Sequence, residues 1–212
     1  MVLLTILTLL TAGALRGGQD VGASVGEASV ESRGQLVEWS QGAVRWLLLP
    51  AELRDLRRVS SAEEAIEFKE RFWARRDPDP ATPGNPFREG FFRLVEASDL
   101  LYTENGVRGS LTDRGRALIL LGAPTGLRVS SQETLAWDPA TGANDNVRLR
   151  YLPVEIWTYR AENLHRALRL ALKAISDEST FQVRFVRDQE RMALRDGEGL
   201  LELAARTALA LP

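Results

Sequence analysis

The sequence contains no cysteine, a single histidine at position 165, and only two lysines, Lys69 and Lys173. Without cysteine there is no disulfide, no thiolate zinc site, no cysteine nucleophile and no lipidated cysteine of the lipoprotein type. One histidine leaves a histidine-rich metal site without its ligands, and any Ser-His-Asp arrangement would have to use His165. Basic excess is also missing. The formal net charge is −2 over 212 residues, which gives no overall field for nucleic acid. Neither the P-loop lysine nor a G-x-G-x-x-G spacing accompanies Gly109, Gly115 and Gly122, so no phosphate-binding fingerprint is present. What remains is an ordinary globular composition, 44% hydrophobic and 26% charged, whose positive charge is almost all arginine. Arginine favours bidentate pairing with carboxylates.

The N-terminus, MVLLTILTLLTAGAL, is an uncharged apolar run ending in small residues. Ala12-Gly13-Ala14 matches a signal-peptidase site, and the run is shorter than the ~20 residues that a membrane span needs. Residues 1–14 are therefore expected to be a signal peptide. Residues 15–38 are expected to be a flexible linker, its Gly- and Ser-rich part covering 16–35. A single domain follows over 39–212.

The first half of that domain reads as helical. A short helix is expected around Ala43–Leu49, and Pro50 suits the start of another over Ala51–Arg58, with Leu53 and Leu56 inward. Ser60 and Ser61 stand at capping-box spacing before Glu63 and Glu64. The helix they start presents Ala62, Ala65, Ile66, Phe72 and Trp73 on one face, with Phe68 at its margin, and ends near Arg76. Residues 77–86 (DPDPATPGNP) hold four prolines and form a stiff connector. Asn85 and Pro86 then suit the N-cap and first residue of a helix running to about Thr103. Its stripe is Phe87, Phe91, Leu94, Val95, Ser98, Leu101 and Tyr102.

Turn chemistry changes the pattern after Asn105-Gly106. In GSLTDRGRALILLGAP, from Gly109 to Pro124, Thr112 and Asp113 can bond nearby backbone amides and Gly115 permits a tight turn. Ala117–Leu121 reads as a strand buried on both faces, stopped by Gly122 and Pro124. Thr125–Gln132, Glu133–Asp138, Val147–Tyr151 and Val154–Arg160 are further strand candidates, with a polar loop, DPATGANDN, over 138–146. A helix over Glu162–Ile175 is expected to turn Leu164, Leu168, Ala171, Leu172 and Ile175 inward. Phe181–Val186 should rejoin the sheet, and an amphipathic helix should close the chain over Leu200–Leu211.

Phe72-Trp73-Ala74-Arg75-Arg76-Asp77-Pro78 is followed by its proline connector and Asn85-Pro86-Phe87-Arg88-Glu89, then by Gly109-Ser110-Leu111-Thr112-Asp113-Arg114-Gly115-Arg116, a hydrophobic run and Gly122-Ala123-Pro124. In this order the segments resemble the GWxTD-domain family of bacterial proteins. Val154–Tyr159 resembles the later aromatic strand of that family. The resemblance covers residues 45–160 and returns at Phe181–Asp188, with Ser110 at the motif's tryptophan position. It implies a shared bacterial domain and carries no activity with it.

The polar residues worth following are Arg75, Arg76 and Asp77 at a helix end, and Thr112, Asp113, Arg114, Gly115 and Arg116 at the motif. Their arginines and aspartates are expected to meet, with Asp113 accepting from an arginine; the alternative is a site for an anionic ligand. Asp77 and Asp113 could flank a glycosidic or peptide bond, but a general acid must be protonated, which flanking arginines oppose. His165 is expected at the surface. Asp138, Asn144, Asp145 and Asn146 lack the EF-hand spacing and read as a turn. No catalytic set, metal site or cofactor is assigned.

The expected fold is α+β: N-terminal helices packed on a small, mostly antiparallel sheet seeded by Ala117–Leu121, with a C-terminal helix. The expected function is a non-enzymatic module, periplasmic or extracellular, with no nucleic-acid partner and no membrane span after signal cleavage. It would bind an envelope protein or an anionic ligand through its sheet-and-turn surface. The alternatives are a hydrolase acting on a glycan or peptide near Asp77 and Asp113, and an interaction helix over Leu200–Leu211.

Overall fold

A computed structural model describes residues 34–137 and 147–209. Helix starts fall where a side chain can take an orphan amide. Ser61 Oγ accepts from the Glu64 N–H to open α3 (Ala62–Ala74), and Asn85 Oδ1 accepts from Arg88 N–H to open α4 (Pro86–Tyr102). Before them lie α1 (34–41), a 3-10 turn over Ala43–Trp46, and α2 (Pro50–Leu56), which begins at its proline. The linker expectation is thus corrected at its end. Residues 34–38 are helical, and Leu36 is buried against Phe68 and Val59.

The largest correction concerns Ala117–Leu121, which is helical. Thr112 Oγ1 accepts from the Gly115 N–H and opens α5 (Asp113–Leu121), which Gly122 ends at a φ of +78°. Both readings require burial on all sides, and α5 has it. Ala117, Leu118 and Leu121 face the sheet, while Ile119 packs with Phe72, Trp73 and Phe91 of the helical layer. A short helix that is apolar all round shows no period that separates it from a buried strand.

The sheet is a four-stranded antiparallel meander in the order β1-β2-β3-β4: β1 (Gly126–Trp137), β2 (Val147–Arg160), β3 (Thr180–Asp188) and β4 (Arg191–Asp196). The four strand candidates before Arg160 are two long strands. Pro153 does not interrupt β2, because it lies one residue beyond the last β2–β3 pair, Val154 with Val186. There its missing N–H costs no ladder bond. Strand β4 was unforeseen, since its hairpin turns at Gln189, a non-glycine at a φ of +55°, without the usual Asn-Gly or Asp-Gly signal. Helices α6 (Arg166–Ile175) and α7 (Glu198–Thr207) complete the fold, packing Leu168, Leu172, Leu201 and Ala204 against Trp157, Tyr159, Val183 and Phe185. The architecture is α+β, with the helices on one face of the sheet. No described helix is long and apolar enough to cross a membrane.

Several inward assignments move. Leu53, Ile66, Leu101 and Ile175 are exposed, and Phe68 is central rather than marginal. The α7 face expected to serve as an interaction surface is already used: Leu201 and Ala204 are buried, with Leu200 and Leu203 packed beside them. Residues 1–33, which include the expected signal peptide, and the polar loop 138–146 lie outside the described residues.

Candidate functional site

The two polar segments do not form one cluster. Arg76, at the end of α3, is fully buried and reaches back to α2. Its Nη1 donates to Glu52 Oε1 (2.9 Å) and the Phe72 carbonyl (2.8 Å), and its Nη2 to Glu52 Oε2 (2.8 Å) and the Leu47 carbonyl (2.8 Å). Glu52 Oε2 also accepts from the Leu49 N–H, so this buried carboxylate closes the start of its own helix. Arg75 is half exposed and lies 3.8 Å from Glu52. Asp77 accepts from the Asp79 N–H and shapes the proline connector. Among the described residues, no hydrogen bond or ion pair joins Arg75, Arg76 or Asp77 to the motif.

The motif is built by close backbone approach. A Cβ at Gly109 would overlap the carbonyl oxygen of Ser98 on α4, and a Cβ at Gly115 would overlap the carbonyl oxygen of Gly109. Ser98, a fully buried small residue, lets α4 come this near. Thr112 stitches the crossing: its hydroxyl donates to the Gly109 carbonyl while accepting from Gly115. Ser110 is buried, its N–H donating to Asp99 Oδ1 and its carbonyl accepting from the Trp46 indole (2.8 Å). Burial pushes the Asp99 carboxyl's pKa up, but the Ser110 and Arg108 donors outweigh it and hold it below the usual range. A depressed carboxyl stabilises the fold above its unfolded pKa and ceases to do so as pH falls through the folded value. Urea unfolding carried below about pH 4 should therefore fall more steeply for the wild type than for Asp99→Asn; parallel slopes would contradict this.

The charged residues of the motif tie α5 to the sheet. Among the described residues Asp113 accepts from no arginine: its Oδ2 takes the backbone N–H of Leu194 on β4 (2.8 Å). Glu104, just beyond α4, takes the N–H of Met192 on the same strand. Arg114 bridges Glu104 and Glu155 of β2, both at 3.0 Å, and its guanidinium lies over the Tyr102 ring. Arg116 pairs through both Nη atoms with Glu198 at the start of α7. Beneath these, burial raises the phenol pKa values of Tyr102 and Tyr159. Asp113→Ala should release the Leu194 amide to faster hydrogen exchange and lower stability by about 1–3 kcal/mol. Asp113→Asn, which keeps an acceptor, should lose less; unchanged exchange at Leu194 would contradict the assignment.

The sheet's two edges therefore differ. Carboxylates from Asp113 and Glu104 take N–H groups of β4, whereas no hydrogen bond among the described residues reaches the outer edge of β1. Antiparallel partners share a face, so Leu127, opposite the buried Trp157, and Val129, opposite Glu155, project on the helix side. The helices do not reach them: Leu127 is 59% and Val129 66% exposed, and Tyr151 and Leu149 continue the exposed apolar strip along β2. Sequence reading placed these strands without seeing that the strip lacks a cover. The alternation Leu127-Arg128-Val129 was its only signal, and alternation does not reveal how far the helices extend.

His165 is exposed and caps α6, its Nδ1 facing the Ala167 N–H at 3.4 Å. A half-open apolar cleft of about 420 Å³ lies nearby, lined by Phe87, Phe91, Leu94, Ile119 and Leu209 among others. Among the described residues, no group of three His, Cys, Asp or Glu side chains is placed to hold a metal. Neither a family model, nor a curated protein, nor a solved structure matches this chain.

Proposed function

We propose that the protein is an exported, non-enzymatic binding module that holds a protein partner through its sheet-and-turn surface, in the periplasm or outside the cell. The observation carrying this reading is the unequal treatment of the sheet edges. An open edge strand offers a row of unpaired backbone groups, which folds normally cover, shorten or charge. Here β4 is covered by Asp113 and Glu104, while the outer edge of β1, 12 residues long, has no hydrogen-bond partner among the described residues and lies beside exposed apolar side chains. Strand addition uses such edges for protein recognition. The motif then acts as a scaffold that closes the β4 edge and ties α5 to β2 through Arg114. Its segments also motivate grouping the chain with GWxTD-domain proteins, a grouping that adds no activity.

A photo-crosslinking residue at Ser131 on β1 should capture a discrete envelope protein, and one at Arg195 on β4 should not. Equal capture at both positions would overturn the reading. So would turnover of a glycan or peptide that is lost in Asp77→Asn or Asp113→Asn. Export rests on the apolar N-terminus and its Ala14 site. Mass spectrometry should find a mature chain beginning at Leu15, and an intact Met1 would contradict it.

A further inference from the structure

We infer that the open edge of β1 takes an extended peptide strand of alternating apolar and acidic residues, the acidic side chain seated beside Arg128. The inference rests on the strand-addition reading above and supplies the chemistry of its partner. A strand added beside β1 places each residue on the same face as the β1 residue opposite it. On the helix side it meets Leu127 and Val129, so the residues opposite them have apolar area to bury. Between these two, on the other face, it meets Arg128.

That outer face is positive near the edge. Arg128 of β1 stands opposite Ile156 of β2, which stands opposite Arg184 of β3, so two arginines flank one apolar residue in a single cross-strand row. Arg150 of β2, opposite Thr134, projects on the same face and is exposed. The only acidic residues of β1 and β2, Glu133 and Glu155, lie on the helix side. Arg184 donates to Gln132 Oε1 (2.6 Å) across β2, which leaves Arg128 as the guanidinium nearest an incoming strand. Complementarity thus selects apolar–acidic–apolar over apolar–basic–apolar, since like charges directly opposite destabilise a pair and opposite charges stabilise it. A second copy of β1 would be a poor occupant in the register that matches the apolar pairs. Setting Leu127 opposite Val129 of the copy places Arg128 opposite Arg128.

The experiment uses the full mature chain and two synthetic nonapeptides of alternating valine with glutamate or with lysine. Binding is read by fluorescence anisotropy, and amide exchange by NMR on β1. The glutamate peptide should bind about fivefold tighter or more, with slowed exchange confined to β1 amides. Arg128→Glu should reverse the order, and Arg128→Gln should erase it. Because Arg128 is exposed, both variants should keep the wild-type circular dichroism and melting temperature. Equal binding of both peptides with β1 protection would overturn the charge assignment and leave strand addition standing. Absence of binding and of protection would overturn strand addition itself. Concentration-dependent dimerisation that protects β1 without peptide would replace the peptide with a second copy.

Discussion

Glu52→Gln should destabilise the protein by about 3–5 kcal/mol, because it leaves the Arg76 guanidinium buried without its counter-charge. Arg76 and Glu52 are each about 1% exposed, and the pair is bidentate at 2.8 and 2.9 Å. Coulombic attraction alone does not make such a pair stabilising, since taking both ions out of water costs several kcal/mol. The penalty of a half-removed pair is nevertheless fully felt. For a chain of this size the loss corresponds to a melting temperature lower by roughly 10 °C. The double variant Glu52→Leu with Arg76→Met should recover part of that loss, since neither ion is then buried. Recovery should be incomplete, because the Leu47 and Phe72 carbonyls and the Leu49 amide lose their partners. Urea unfolding of the three proteins decides it. A single variant within about 0.5 kcal/mol of wild type would mean that the α2–α3 junction is not closed in solution.

Gly115→Ala should be at least as damaging, costing about 4 kcal/mol or more, or abolishing folding. The added methyl has no free direction, since it would overlap the Gly109 carbonyl oxygen and press on the Ser110 Cα, and both neighbours are backbone. Relief would require α5 to move away from the 3-10 turn at Gly109–Leu111, which strains the two hydrogen bonds of the Thr112 hydroxyl. Gly199→Ala is the control. Nothing lies within 4 Å of a Cβ there and the residue sits in α7, so it should be neutral or stabilising by about 0.5–1 kcal/mol. Thermal melts of both should diverge in opposite directions. Equal stabilisation of both would show that Gly115→Ala gains helix propensity without meeting the crossing.

These two sites were legible to different degrees. Gly109 and Gly115 stood out in the motif, although as turn glycines; that they are contact glycines depends on Ser98 lying across from Gly109 and on the Gly109 carbonyl lying against Gly115. Glu52 was not legible. It sits beside Leu53 on α2, and a helical wheel turns the leucine inward; the buried arginine that reverses this comes from 24 positions away. A charged residue at a core position is explained only by its partner, and no local pattern names that partner.

The residue order by itself determined the class of fold, the helix starts at Ser61 and Asn85, the proline connector, and the alternating strands that build β1 to β3. Each of these depends on a side chain acting on its own neighbourhood, through a cap, a fixed φ angle or a two-residue period. Tertiary structure alone decided that Ala117–Leu121 is a helix, since burial on every side removes the periodicity that would have marked it. It alone placed Asp113 on a β4 amide and Arg76 on Glu52. It also decided which edge of the sheet has no hydrogen-bond partner among the described residues, because strand exposure is set by how far the helical layer extends across the sheet.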